Sequence, residues 1–165
     1  MRLPTLLIAA GLALSAAACA TAPSAPIETG AASESGPAPL ADHDWFFQDS
    51  DGEGRLMYGA QDSDVIWVIL TCTRGSGALN VLQPAVAPHP IRLESGGDTE
   101  TYQAEALPDD LHDLMLSAPA AASDPVFQRF RRVGWMATWG EAGRVMMAAQ
   151  PGSSPRITDF FAFCG

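Results

Sequence analysis

Lysine is absent from this chain. Its nine basic residues are all arginine, they stand against 19 Asp and Glu, and the formal net charge is -10. Such a chain is a poor binder of phosphate backbones, because that binding runs on counterions released by clustered cations; nucleic acid is excluded as a partner. Cysteine is scarce too, with three residues at positions 19, 72 and 164. No C-x-x-C pair occurs, which removes thioredoxin-like and zinc-ribbon spacings. There is no G-x-S-x-G, no S-x-x-K and no phosphate-cradling glycine loop. No period repeats along the chain, which excludes solenoids and propellers. What is present is a hydrophobic share of 47% with 17% charged residues over 165 positions, the composition of one globular domain with its own core.

The N-terminus carries the clearest signal. Met1-Arg2 is a short positive start, residues 3–14 are apolar, and Ser15-Ala16-Ala17-Ala18 is a run of small side chains. That order is the order of a secretory signal peptide, here residues 1–18. The run ends at Cys19, and Ser15-Ala16-Ala17-Ala18-Cys19 resembles the lipobox of bacterial lipoproteins, with Leu14 upstream of the usual leucine position. The resemblance implies that Cys19 becomes the lipidated first residue of the mature chain. Ala20 after it, rather than Asp, implies the periplasmic face of the outer membrane of a Gram-negative bacterium. Ala16-x-Ala18 also satisfies ordinary signal peptidase, which would leave a soluble periplasmic protein. A spanning helix wants ~20 predominantly apolar residues, and Pro4 and Ser15 shorten this stretch. If Cys19 carries lipid, Cys72 and Cys164 are left to pair, and no thiol remains over in an oxidising compartment.

Beyond Cys19 the chain is mostly Ala, Pro, Ser and Gly up to residue 42. Such a stretch buries too little apolar area to offset its ordering entropy, so residues 19–42 read as the lipidated Cys and a disordered tether. All four Trp, both Tyr and all seven Phe follow it, which places the globular domain at 43–165. Residues 65–72 (VIWVILTC) are apolar on both alternating faces, as in a central strand covered on both sides. The Gly-containing turn 74–77 and a strand at 78–83 complete a hairpin. Weaker strands are predicted at 91–94, 99–106 and 114–117, and a second hairpin at 135–139 and 144–149. Ser123-Asp124-Pro125 opens a helix that Gly134 ends. Another begins at Ser154-Pro155, with Ile157, Phe160, Phe161 and Cys164 on one face and Phe163 off it. The fold class expected is α+β, mainly β: an antiparallel sheet curled into a small sandwich or partial barrel, two short helices, and one disulfide between Cys72 and Cys164.

Candidate chemistry is sparse. Asp49-Ser50-Asp51-Gly52-Glu53-Gly54-Arg55-Leu56 opens like an EF-hand loop, but Ala60 stands where the bidentate Glu belongs, so it reads as an acidic turn. His43, His89 and His112 lie beside acids or prolines without ligand spacing, and no metal or other cofactor is expected. Trp135 and Trp139 fall on one strand face with Ala137 between them, a possible platform for a sugar ring or a partner, although core packing of a hairpin produces the same pattern. Arg129, Arg131 and Arg132 read as the solvated side of the first helix. The leading expectation is therefore a lipid-anchored envelope protein with a non-enzymatic binding or structural role toward an envelope protein or cell-wall component. The anchor, the small β-rich domain, the distant Cys pair and the acidity also loosely resemble the membrane-bound lysozyme inhibitors of Gram-negative bacteria, which implies an inhibitor of a basic hydrolase. In place of that family's compact Ser-Gly-x-x-Tyr segment, Ser95-Gly96 and Tyr102 are separated by GDTET. A third class, a hydrolase, needs a cleft that assembles distant residues such as His112, Asp113 and a Ser.

Overall fold

The structure, a computed structural model, describes residues 36–140 and 143–165. The expected signal peptide, Cys19 and the tether up to residue 35 lie outside the described residues. Strands β1 (His43–Ser50) and β2 (Glu53–Ala60) pair across a two-residue turn in which Ser50 faces Glu53. Asp51 and Gly52 there have φ of 53° and 84°, the two positive values a type I′ hairpin turn requires and an Asp-Gly pair supplies. The calcium-like loop is thus the tip of a hairpin. Its carboxylates are used locally, with Asp49 3.4 Å from Arg74 and Glu53 accepting from Thr73 at 2.8 Å.

Strand β3 (Ile66–Thr73) follows the expected central run and sits between β2 and β4 (Ala78–Ala85). Strands β5 (Ile91–Ser95) and β6 (Asp98–Tyr102) form a hairpin, and β7 (Glu105–Pro108) pairs with β8 (Leu114–Ala121). Strands β9 (Trp135–Gly140) and β10 (Gly143–Ala148) make the last hairpin. All pairings are antiparallel and assemble two sheets, one of six strands in the order β1-β2-β3-β4-β8-β7 and one of four in the order β10-β9-β5-β6. The single strand expected over 99–106 is in fact two. Tyr102 pairs with Ile91 on β5, which holds β6 in the small sheet, while Ala106 pairs with Leu116 in the large one. The chain changes sheets at Gln103-Ala104, a corner of the kind sandwiches use. The Trp45 indole bonds Met147 O at 3.2 Å, and Gln83 Nε2 bonds Trp139 O at 2.8 Å. The β9–β10 hairpin therefore crosses the large sheet from β1 to β4.

Between the sheets lies one buried cluster that includes Trp45, Leu56, Tyr58, Leu70, Leu93, Leu116 and Met136. Helix α1 (Pro125–Val133) buries Val126, Phe127 and Phe130 against it and ends at Gly134 with φ of 72°, the left-handed cap glycine provides cheaply. Helix α2 (Ser154–Cys164) adds Ile157, Phe160 and Phe161. Its start is clasped by Asp44, which accepts from Ser153, from Arg156 at 2.8 Å and from Gln150 N at 3.1 Å. Its end is joined to β3 by the Cys72–Cys164 disulfide, with Cα atoms 5.7 Å apart.

Two side-chain expectations change. Phe163 is buried as well, because Gly75 and Gly77 N–H groups hold the Phe163 and Cys164 carbonyls at 2.9 and 2.8 Å and wrap the β3–β4 turn around the helix end. Arg129 is not solvated; its side chain reaches Ser95 O at 2.7 Å and Glu100 at 3.2 Å, while Arg131 and Arg132 are exposed. Among the described residues no helix is long and apolar enough to cross a membrane.

Candidate functional site: a cavity at one end of the sandwich

The loops 61–65, 86–90 and 109–113 leave the large sheet from the same end, since β3 begins where β2, β4 and β7 finish and Ala85 pairs with Leu114 opposite Pro108. There the register between β2 and β3 slips: Tyr58 faces Val68, Gly59 faces Ile66, and Trp67 has no partner on β2. A bulge of this kind re-aims side chains, and Trp67 and Val68, although consecutive, both reach the core cluster. Gly59 makes the slip possible, because a Cβ there would stand 2.3 Å from Val65 O. Beside Trp67 the two sheets part and leave an open cavity of about 500 Å³, a size typical of small-ligand sites.

Ile66, Trp67, Pro84, Ala85, Val86 and Leu111 form its apolar walls, with Gln83, Thr138, His112 and Asp113 as polar groups. Gln83 and Thr138 are 2% and 1% exposed and satisfy each other across the sheets. Thr138 Oγ1 donates to Gln83 Oε1 at 2.7 Å, and the Gln83 amide donates to Trp139 O. They fix the separation of the sheets, since an unpaired buried amide costs ~1 to 3 kcal/mol. The Trp67 indole N–H is buried with no partner among the described residues. At the mouth, His112 Nδ1 lies 2.7 Å from Asp109 Oδ2, which also accepts the His112 backbone N–H at 3.0 Å. The His112 side chain donating to it holds the Asp109 carboxyl below the usual carboxylate value.

The structure brings His112 and Asp113 to this cavity, as the hydrolase alternative requires, but orients His112 with Asp109. Among the described lining residues there is no Ser or Cys, and the Thr138 hydroxyl is turned to Gln83. The other sequence candidates lie elsewhere. Trp135 and Trp139 share the outer face of the small sheet. Gly36 lies against Trp135, so that a Cβ there would come within 2.9 Å of its ring. Trp139 has the Arg92 and Arg144 guanidinium carbons 4.4 and 5.8 Å from its ring centroid. Arg144 also grips Glu94 at 2.6 Å. The pair is thus partly covered by the chain's own groups. His43 is turned onto Ala41 O and His89 onto Pro90 O. Among the described residues no three His, Cys, Asp or Glu side chains gather as a metal site.

Sequence reasoning missed the cavity because its walls come from four distant segments. The one local signal was Trp67, a bulky aromatic in a run otherwise explained as core. The chain matches no protein-family model, no curated protein and no solved structure.

Proposed function

We propose that this protein is a lipid-anchored, non-enzymatic binding domain of the bacterial envelope, held through Cys19 at the periplasmic face of the outer membrane, and that it takes its ligand in the cavity beside Trp67. The observation that carries the reading is the cavity itself: open, walled by aliphatic and aromatic side chains, and floored by a Gln83–Thr138 pair whose hydrogen bonds are already made. Such a floor orients an apolar group without offering it a reacting partner. The His112–Asp109 pair supports recognition at the mouth, since no lining hydroxyl or thiol is poised for it to activate.

The test uses the purified Cys19→Ser chain and N-phenyl-1-naphthylamine, a neutral apolar fluorophore. Saturable binding should be lost in Val86→Trp, which plugs the mouth from a position 51% exposed and so leaves the melting temperature unchanged. Equal binding by both proteins places the probe elsewhere and removes the reading.

A further inference from the structure

Four of the large aliphatic side chains that the domain leaves exposed stand at this one end: Leu111 is 75% exposed, Val86 51%, Val65 47% and Leu107 43%. Leu111 and Val86 are at the cavity's lip, Leu107 lies on β7 next to the 109–113 loop, and Val65 lines the neighbouring groove with Phe46 and Met57 on the outer face of the large sheet, a groove that shares Ile66 with the cavity. An apolar rim wider than the cavity marks a contact surface rather than a closed small-molecule pocket. The charge of the same loops is one-sided. Asp62, Asp64, Asp109, Asp110 and Asp113 lie in 61–65 and 109–113, and none of the three loops contains an arginine. Asp62, Asp64, Asp110 and Asp113 are exposed. Arg92 is in the adjoining groove, which shares Val86 and Gly140 with the cavity, and its guanidinium is laid over Trp139 at 4.4 Å.

Resting on the cavity reading above, we infer that the occupant is a basic polypeptide, one that seats an apolar side chain between Trp67, Val86 and Leu111 and sets flanking Arg or Lys residues on Asp110, Asp113 and Asp64. A 500 Å³ hollow accommodates one large side chain, the aliphatic rim excludes water around it, and the carboxylates select the sign of its neighbours.

The experiment measures displacement of N-phenyl-1-naphthylamine from the Cys19→Ser chain by three blocked pentapeptides, each with a central Phe, flanked by arginines, by glycines or by glutamates. The arginine peptide should displace the probe at least tenfold more tightly than the glycine peptide, and the glutamate peptide should not compete. The advantage should shrink below threefold at about 0.5 M salt, where charges beyond a few ångströms are screened, and likewise in Asp64→Asn/Asp110→Asn, neither of which lines the cavity, with affinity for the glycine peptide unchanged. Val86→Trp should abolish displacement by all of them. Equal affinity of the three peptides overturns the charge selection while the cavity stands. Probe binding that no peptide displaces overturns the polypeptide occupant and leaves a small-molecule site. Arginine-peptide binding that survives Val86→Trp overturns the inference as diffuse attraction to an acidic protein. Failure of the probe itself to bind removes the cavity reading beneath it.

Discussion

Cys72 and Cys164, 92 residues apart in sequence, are joined with their Cα atoms 5.7 Å apart, so the last helix is covalently held to the central strand of the large sheet. Closing a loop of that length contributes on the order of 4 to 5 kcal/mol in the chain-entropy view. That is a large fraction of a domain's typical ~5 to 15 kcal/mol. The double variant Cys72→Ala/Cys164→Ala, which leaves no free thiol at either position, should lose about 3 to 5 kcal/mol of unfolding free energy by guanidinium titration. A midpoint equal to wild type would show that the covalent link contributes nothing to stability.

Phe163 packs edge-on against Phe47 with ring centroids 5.9 Å apart and lies over Gly54, where a Cβ would come within 2.8 Å of its ring. Phe160→Ala and Phe161→Ala should each cost about 3 to 5 kcal/mol, and Phe163→Ala nearly as much, about 2 to 4. Gly54→Ala should cost about 1 to 3 kcal/mol by forcing the ring aside. Denaturant midpoints of the four variants check this; a Phe163→Ala protein as stable as wild type would contradict the packing.

Phe163 also shows where reading the sequence stops. Amphipathic spacing located α2, its Pro155 start and the Ile157, Phe160, Phe161, Cys164 face, because that face is set by the helix period alone. What covers the remaining side depends on the β1–β2 hairpin and the β3–β4 turn, neither of which periodicity relates to α2. The two helices, the Asp51-Gly52 turn and the disulfide were legible for the same local reasons. The corner at Gln103-Ala104 was not, since both flanking strands alternate alike and only their partners differ. The cavity was least legible: it is made by a one-residue register slip at Gly59 and by loops brought together through sheet order.

Tyr58 and Tyr102, the protein's two tyrosines, both titrate above the ordinary 10.0, Tyr58 through burial and Tyr102 through burial and the neighbouring Asp124 and Glu100 carboxylates. The folded state thus holds its phenol protons more tightly than the unfolded one. This contribution to stability is fully present below pH 10 and declines as pH rises above it. At about pH 11, where free tyrosine is largely ionised, the folded protein should show little tyrosinate absorbance, and the band should grow in step with unfolding. A full tyrosinate band in protein that retains its near-ultraviolet circular dichroism would contradict the burial of both phenols.

Anchoring is tested at Cys19. The wild-type chain should fractionate with the outer membrane, and Cys19→Ser should appear in the soluble periplasm. Membrane retention of the variant at the wild-type level would mean that another feature holds the protein there.

The central claim is that ligand enters beside Trp67 at the loop end of the sandwich. The four tryptophan indoles give it a direct readout in a ¹H–¹⁵N correlation spectrum of the labelled Cys19→Ser chain titrated with N-phenyl-1-naphthylamine. Saturable shifts are expected of the Trp67 indole and of the Ala85, Val86, Leu111, His112 and Asp113 amides, with the Trp45 and Trp135 indoles unmoved. Shifts centred on Trp135, or on the outer face around Phe46 and Met57, with Trp67 silent, would contradict it.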